Sequence, residues 1–442
     1  MFDVSADHFK HGTHMPLQPQ PMMFDSQLRA KGAELRATIR RLADTLLAHE
    51  AASGSRKRAR KQTDATKFYA AVEALACNLV LLKATGSDSK LAVPRSHAVI
   101  WQGNANANSV FGQPFLDAIE LMSAMGLIAE GRRGYRISAR SKMPSLIEPQ
   151  ERLAEHLPLT PPEWRAVCQL ADRVVIILKE GKDEDGNAAS IDYRETARSR
   201  KFANQVRRIN AFLRDADIEV VGQDDSGLSL GRNGQIIAPY RRSLRRIFNN
   251  GTWLHGGRLA GGFWMSMART ERPRIRINGQ RVAEVDYRQL FPRLAYVRAR
   301  APQPEGDLYD VFGSGTGRDG CKKLMNALLF AQGPLKNWPE DTNRYFPDGI
   351  NLRTAIEMLA AKHAPIAHLF GKGLGFQLMR IESDMLIEVL TELSAAGVIA
   401  LPLHDAVLVA EAHWSVAKQT MQAVFQRWSS SPCAIVSVKF HE

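Results

Sequence analysis

Apolar residues recur at helical spacing in several stretches of the chain and cluster as short runs in others. Over residues 26–50 (SQLRAKGAELRATIRRLADTLLAHE), Leu28, Leu35, Ile39, Leu42, Leu46 and Leu47 fall near a 3.6-residue period and predict a helix. Residues 66–84 (TKFYAAVEALACNLVLLKA) predict a helix of core type, and 114–131 (PFLDAIELMSAMGLIAEG) a second one closed by Gly126 and Gly131. GYRISAR then predicts a strand after the turn GRRG. Residues 161–181 (PPEWRAVCQLADRVVIILKEG) predict a further helix, followed by the acidic turn KDEDGN. In residues 193–216 (YRETARSRKFANQVRRINAFLRDA), Phe202, Val206, Ile209, Phe212 and Leu213 form one stripe, with Arg194, Arg198, Lys201, Arg207, Arg208 and Arg214 outside it. DIEVVGQDDSGLSLGRN predicts two strands around a DDSG turn. Near the C-terminus, Leu378, Ile381, Met385, Val389 and Leu393 predict a long helix stopping at Gly397, ahead of two apolar strands in VIALPLHDAVLVAE.

Composition narrows the class. The 442 residues are 45% hydrophobic and 24% charged, which excludes disorder over most of the chain and predicts two or three domains. The net charge of +13 favours a polyanionic partner, nucleic acid being the commonest, over a merely solvated cationic surface. Cys77, Cys168, Cys321 and Cys433 lie far apart without a C-x-x-C pair, so a zinc ribbon or redox pair is not expected, and a reducing cytoplasm fits. No run of about 18 uncharged apolar residues or secretory h-region is found, so no membrane partner is expected.

The basic run Arg56, Lys57, Arg58, Arg60, Lys61 reads as a linker that is solvated or touches phosphates. The basic face of residues 194–214 suits a phosphate backbone and equally a solvated surface. Helix, helix and basic hairpin over 63–150 resemble a winged helix, and equally a plain helical domain.

Three motifs in the last 200 residues carry the chemistry. In RVAEVDYRQLFPRLAYV (281–297), Asp286 ends a short strand, and Pro292 requires the first turn of the helix that follows. In GSGTGRDGCKKLMNALLFAQG (313–333), glycines and a capping Thr316 precede a helix on which Arg318, Lys322, Asn326 and Phe330 recur every four residues along one side. Two cations one turn apart suit a polyphosphate, and a ring beyond them suits a base or sugar. In the third motif, His404-Asp405 sits at a hairpin tip. Two carboxylates on neighbouring strands repel unless divalent metal lies between them, and two Mg²⁺ ions could then hold an attacking hydroxyl and a leaving pyrophosphate in line.

The order Asp-Tyr at a strand end, R-x-x-x-K-x-x-x-N-x-x-x-F on a helix, then His-Asp in a hairpin resembles motifs A, B and C of the family A polymerases, which include DNA polymerase I-like and single-subunit phage enzymes. Gly257-Arg258-Leu259 resembles the T-G-R-L segment ahead of motif A, and Gln377 the minor-groove glutamine between B and C. The resemblance covers about residues 240–442. It implies an α+β fold: a palm of antiparallel sheet with helices plus reduced fingers at 236–442. Ahead of it would stand a basic tail and helix (1–62), the winged-helix-like unit (63–150) and a thumb-like helical region (151–235).

The resemblance further implies template-directed synthesis of DNA from a primer with nucleoside triphosphates. Asp286 and Asp405 would hold two Mg²⁺ (Mn²⁺ as substitute) with the Tyr287 carbonyl. Arg318 and Lys322 would hold the triphosphate, Lys322 also serving catalysis, and Phe330 would stack at the nascent base pair. Arg258, Gln377 and His404 would lie along the primer and template, joined by the basic helix with Arg194, Arg198, Lys201, Arg207 and Arg208. A bacterial or phage cytoplasmic setting follows, in replication or repair. The sequence departs from the family in placing Phe291 where a glutamate usually lies under the sugar, Ala406 after His-Asp, and Asn326 where an aromatic is frequent. The ring of Phe291 still suits exclusion of a 2′-hydroxyl. No acidic constellation for a 3′–5′ exonuclease is found; Asp183, Glu184 and Asp185 sit in a turn without partners in the sequence. The same build fits a primase or RNA polymerase, and an inactive DNA-binding regulator is the reading outside the enzymes.

Overall fold

The computed structural model describes residues 21–54, 56, 58–84, 90–95, 110–131, 135–136, 142–157, 166–170, 174–182, 186, 188–222, 229–230, 236–313, 315–429 and 436–440. The expected turns at Asp183–Asp185 and DDSG, most of the N-terminal tail, and Cys433 lie outside these residues. The chain is mixed α+β and divides into two compact units. Unit 1 comprises Met1–Arg173, Val220–Arg241 and Met267–Glu271; unit 2 comprises Val174–Glu219, Arg242–Ser266 and Arg272–Glu442.

Unit 1 contains β1 (Met22–Met23), α1 (Ala33–Ser53), α2 (Gln62–Ala84), β2 (Leu91–Val93), α3 (Gln113–Ala124), β3 (Ile128–Glu130) and β4 (Ser145–Pro149). Its sheet runs β1-β2-β4-β3, with β1 parallel to β2 and the rest antiparallel. The helical stripes predicted from spacing bury Leu35, Ile39, Leu42 and Leu46 of α1 against Phe68, Leu75 and Leu79 of α2 and Phe115, Ile119 and Met122 of α3. By length and hydropathy α2 could cross a membrane, but 67% of its most apolar window is buried inside the fold, so its apolar character is that of a core helix. The basic run between α1 and α2 is partly structural. Arg56 pairs with Asp64 and Asp117, and Arg60 pairs with Glu50 and Asp117 while lying over the Phe68 ring.

Two sequence expectations change here. Leu28 belongs to a strand, Leu28–Ala30, which pairs with Val167–Gln169, and α1 starts only after Gly32. The Lys31 amide donates to the Ala166 carbonyl, a tertiary bond that outcompetes an early helix start. Secondly, the helix expected over 161–181 is not formed across its described part: Val167–Gln169 and β5 (Ile176–Lys179) are strands. The β-branched run Val174-Val175-Ile176-Ile177 favours the pleated state.

Unit 2 holds two four-stranded sheets. The first runs β6-β5-β7-β8, with β6 at Ser190–Ile191, β7 at Arg245–Phe248 and β8 at Gly256–Ala260; β5 and β7 are parallel. The basic helix α4 (Ala197–Asp215) packs beside β5 and β7. Its N-terminus is fixed by a capping box in which Thr196 and Ser199 satisfy each other's amides, and Phe202, Val206, Ile209 and Leu213 face inward as the stripe predicts. The second sheet is fully antiparallel, ordered β10-β11-β9-β12, with β9 at Val282–Tyr287, β10 at Ala400–Leu403, β11 at Ala406–Ala410 and β12 at Val436–Phe440. Buried side chains line both faces of β9 and β11, because α8 (Gly375–Ala395) and α9 (Trp414–Ser429) pack on the sheet.

Unit 2 also holds α5 (Leu290–Ala299), α6 (Arg318–Phe330), α7 (Leu352–Lys362) and a single helical turn at Ala364–Ala367. Pro292 is the third residue of α5, before an intrahelical donor is needed. The expected cap of α6 is displaced: the N-cap is Gly317, not Thr316. Gly317 sits at φ +68°, and a Cβ there would lie 2.9 Å from the Phe312 ring, so glycine is required.

Candidate functional site

The site grows from the register of two strands. Asp286 lies opposite Ala406, and the Tyr287 amide donates to the Asp405 carbonyl at 3.1 Å. Strand geometry therefore brings the Cα atoms of Asp286 and Asp405 to roughly 6–7 Å. His404 occupies the left-handed region at φ +57° and is exposed, so the β10–β11 turn is tight and leaves Asp405 half-buried beside the end of β9. The Tyr287 side chain is turned into the packing against α9. It is buried, its hydroxyl donates to the Met421 carbonyl at 2.5 Å, and burial drives its ionisation far above the ordinary range. Only the Tyr287 backbone is left to serve the site.

Electrostatics tie α6 to Asp405. Burial pushes the Asp405 carboxyl above its ordinary value; its own amide and the charges of Arg258 and Lys322 oppose, and Glu284 adds to the rise. Lys322 is exposed, one turn beyond Arg318, and its charge reaches Asp405. Arg318 is engaged: its Nε donates to Asp307 at 2.6 Å, and its guanidinium lies 5.6 Å from the Tyr309 ring centroid. Burial raises the Asp307 carboxyl, but the Arg318 hydrogen bond, the Tyr309 amide and the charges of Arg318 and Arg288 bring it below its ordinary value. Among the described residues no group of three or more His, Cys, Asp or Glu side chains gathers as a metal cage. Two carboxylates and a backbone carbonyl are a small, hard oxygen set. Such a set suits Mg²⁺, which keeps waters and takes further ligands from substrate phosphates.

Beyond the cations lies a row of rings. Phe330 packs 5.8 Å from Phe291 and 5.2 Å from Phe376, which stacks on His255 at 5.9 Å, and the Arg258 guanidinium lies 5.5 Å over Phe291. Phe330 rests on the backbone of Gly375, where any Cβ would come within 2.4 Å of the ring. The Phe330, Phe291, Phe376 and His255 side chains are all half-buried, so the row keeps accessible edges.

Arg258 is held from behind. Its Nε and Nη2 donate to the two oxygens of Glu382 on α8 at 2.8 Å each. Glu382 is 2% exposed; burial pushes its carboxyl up to about 7 against the Arg258 charge, with Asp405 adding to the rise. Next to this pair, Arg246 is fully buried and donates to the Gly257 carbonyl, Ser383 Oγ and Asp384 Oδ1. Arg246 and Arg380 lie over the stacked rings of Phe202 and Phe248, and Arg380 pairs with Asp384. Burial and the Arg380 charge pull the Arg246 guanidinium down to about 10, opposed by Asp384. Gly257 is fixed by this crowd: at φ +82° a Cβ would lie 3.1 Å from Phe248 and 3.3 Å from Arg246 Nε.

The fold thus sets Asp286 beside Asp405 by strand register, brings the Lys322 charge to bear on Asp405, and links Arg258, Phe291 and Phe330 through ring contacts. Gln377 stands exposed in the first turn of α8. Arg194, Arg198, Lys201, Arg207 and Arg208 are all exposed on or just ahead of α4 and are not in the carboxylate cluster. Sequence reasoning missed Asp307, Glu382 and Arg246. Glu382 had a signal: it lies four residues after Leu378 and seven before Val389, on the apolar stripe of α8, where a charge needs a buried partner. Asp307 and Arg246 carry no such mark.

No family model matches the chain, and no curated protein matches it. Among solved structures it is similar to the POL domain of Pol1 from M. smegmatis, in complex with DNA primer-template and dNTP. The match has 14% identity and a TM-score of 0.28, covering 46% of this chain and 48% of that one. The chain therefore spans about half the length of that protein, and a likeness this loose identifies neither its fold family nor its activity.

Proposed function

We propose that residues 236–442 carry a palm-and-fingers module for template-directed, Mg²⁺-dependent DNA synthesis without proofreading, and that the basic segments ahead of it grip nucleic acid. One observation carries this reading: the β9–β11 register and the Tyr287–Asp405 amide bond set two acids at adjoining strand ends, with the Lys322 charge acting on one of them. Asp286, Asp405 and the Tyr287 carbonyl would hold the metal, which when bound activates the attacking hydroxyl and neutralises the leaving pyrophosphate. Lys322 and Arg318 supply positive charge to the triphosphate, Lys as a point charge and Arg as a fork. Phe330, seated on Gly375, offers a flat face to the incoming base. Phe291, wedged between Phe330 and Arg258, fills the space where a 2′-hydroxyl would lie, which favours deoxynucleotides. Arg258, Gln377 and His404 face the primer and template.

The experiment is primer extension by the full chain with deoxy- and ribonucleotides, in Mg²⁺, in Mn²⁺ and in EDTA. Extension that needs the metal and a primer is expected. Ribonucleotide incorporation, or initiation without a primer, would move the reading to a primase or RNA polymerase. Salt-sensitive DNA binding without incorporation in either metal would leave a DNA-binding protein with an idle site.

A further inference from the structure

Two arginines of unit 2 are held by carboxylates in different ways. Arg258 gives Glu382 both Nε and Nη2, so its fork is filled. Arg318 engages Asp307 through Nε, and its Nη1 lies 3.6 Å from Asp319, so the terminal nitrogens carry the donors that remain for an anion. Asp307 itself is fixed from several sides. Its Oδ1 accepts from Gln289 Nε2 at 2.7 Å and from the Tyr309 amide at 2.9 Å.

The segment bearing Asp307 is pinned as well. Gln289 Oε1 accepts from the Leu308 amide at 3.3 Å, His363 Nε2 reaches the Leu308 carbonyl at 2.7 Å, and Lys362 donates to the Asp310 carbonyl at 2.6 Å. Because the carbonyl can only accept, His363 Nε2 carries the proton, and Nδ1 accepts from the Tyr296 hydroxyl at 3.0 Å. Burial pulls the His363 ionisation down, which keeps this neutral arrangement. Gln289 follows Asp286 by three residues at φ +59° in the turn into α5, so one chain of hydrogen bonds runs from the end of β9 through Asp307 to Arg318.

We propose that Asp307 is the positioning residue of Arg318: it clamps the guanidinium at Nε and presents the terminal nitrogens to a triphosphate beside Lys322. The proposal rests on the reading of this site as a nucleoside triphosphate site. A carboxylate near an anion site repels the anion, so its presence there needs a compensating gain, and orientation of a long flexible cation is that gain. A carboxylate that merely masked Arg318 would instead take up its terminal nitrogens, which Asp307 leaves clear by binding Nε.

The two roles predict opposite signs. Asp307→Asn removes a negative charge, so a masking or repelling carboxylate would give tighter nucleotide binding on substitution. A positioning carboxylate gives weaker binding, by about five- to tenfold, with KM for the nucleotide raised and kcat changed less. Titration of the full chain with deoxynucleoside triphosphate in Mg²⁺ reads this directly. In an Arg318→Ala background, Asp307→Asn is expected to change binding by less than about twofold, because the residue it serves is gone. Asp307→Glu keeps the charge and moves it by one methylene; it too is expected to weaken binding, whereas a purely electrostatic role would leave it unchanged. The Arg318 Nε–H resonance is expected to exchange slowly in the wild type, held by Asp307, and to be lost in Asp307→Asn without any ligand. Binding that is unchanged or tighter in Asp307→Asn, or equally weakened with Arg318 absent, overturns the proposal while leaving the site's function standing. A wild type that binds no triphosphate removes the functional reading instead, and the Nε–H signal alone then decides whether Asp307 holds Arg318.

Discussion

The two units handle charge differently. Unit 1 packs a core of Leu, Ala, Val and Phe, and its charges gather at the edge of that core: Arg60 pairs with the buried Glu50 and Asp117, the more exposed Arg56 bridges Asp64 and Asp117, and Arg95 pairs with Glu130. Unit 2 buries charge outright, with Arg246 0%, Arg293 1% and Glu382 2% exposed. Ionised groups taken out of water cost more than well-packed apolar replacements of the same volume, so such pairs are poor devices for stability alone. They are good devices for holding a backbone or a neighbouring cation in one orientation. Arg246 grips the Gly257 carbonyl and Asp384, Glu382 grips Arg258, and Arg293 donates to Gln289 in the turn after Asp286. Charge is thus taken deeper around the candidate site than in the helical unit, where the buried carboxylates Glu50 and Asp117 lie at the core's edge.

The largest test of that contrast is chemical. Asp286→Ala and Asp405→Ala should each lower nucleotide incorporation on the order of 10³-fold or more, as losses of groups at the reacting atoms do. Both residues are half-buried at strand ends, so thermal melting should hardly move. Activity surviving in either variant removes the metal assignment. The next effect is on stability. Arg246→Ala empties the space of a fully buried side chain, while Asp384 keeps Arg380 and the Gly257 carbonyl keeps Ser383, and it should cost unit 2 about 2–5 kcal/mol by denaturant unfolding. Arg56→Ala at the partly exposed rim of unit 1 should cost about 1 kcal/mol or less. Equal costs at the two sites would erase the difference between the units.

The sequence made the elements of the site legible and left their connections dark. The strand ending in Asp286, the helix with its four-residue repeat from Arg318 to Phe330, and the hairpin tip at His404-Asp405 all follow from local periodicity and lie where the pattern puts them. Unit 1's helices were legible for the same reason. The segment at 161–181 is ambiguous in the sequence, because mixed apolar and polar residues satisfy a helical period while a run of β-branched residues prefers a strand, and a long-range partner decides between them. The pairings of Arg246, Asp307 and Glu382 are not legible in the sequence, because a partner 138, 11 or 124 residues away is a property of the fold alone.

Glu382 gives an intermediate effect with a defined sign. A carboxyl raised from about 4.5 to about 7 binds its proton more tightly folded than unfolded. Between those values the native state therefore holds more protons, and stability falls as pH rises. This contribution is complete below pH 4.5 and lost once pH has passed 7. Glu382→Gln cannot titrate. The wild type should thus lose stability relative to Glu382→Gln across that window, on the order of 3 kcal/mol, and the difference should stay level above it. A difference that is flat with pH would mean that Arg258 keeps the carboxylate charged throughout.

The smallest expected effect lies on α4, and it separates binding from folding. Phe202, Val206, Ile209 and Leu213 anchor the helix, while Lys201 and Arg208 are exposed outside that stripe. Substituting both by Gln removes no packing, so stability should shift by less than about 0.5 kcal/mol. If the helix lies on a phosphate backbone, each cation displaces a condensed counterion. The slope of log affinity against log salt should then flatten by about 2 for duplex DNA, with affinity falling alike for every sequence. An unchanged slope would make α4 a solvated face. The buried arginines of unit 2 would then stand as the orienting charges of the site, and the exposed ones on α4 as solubility.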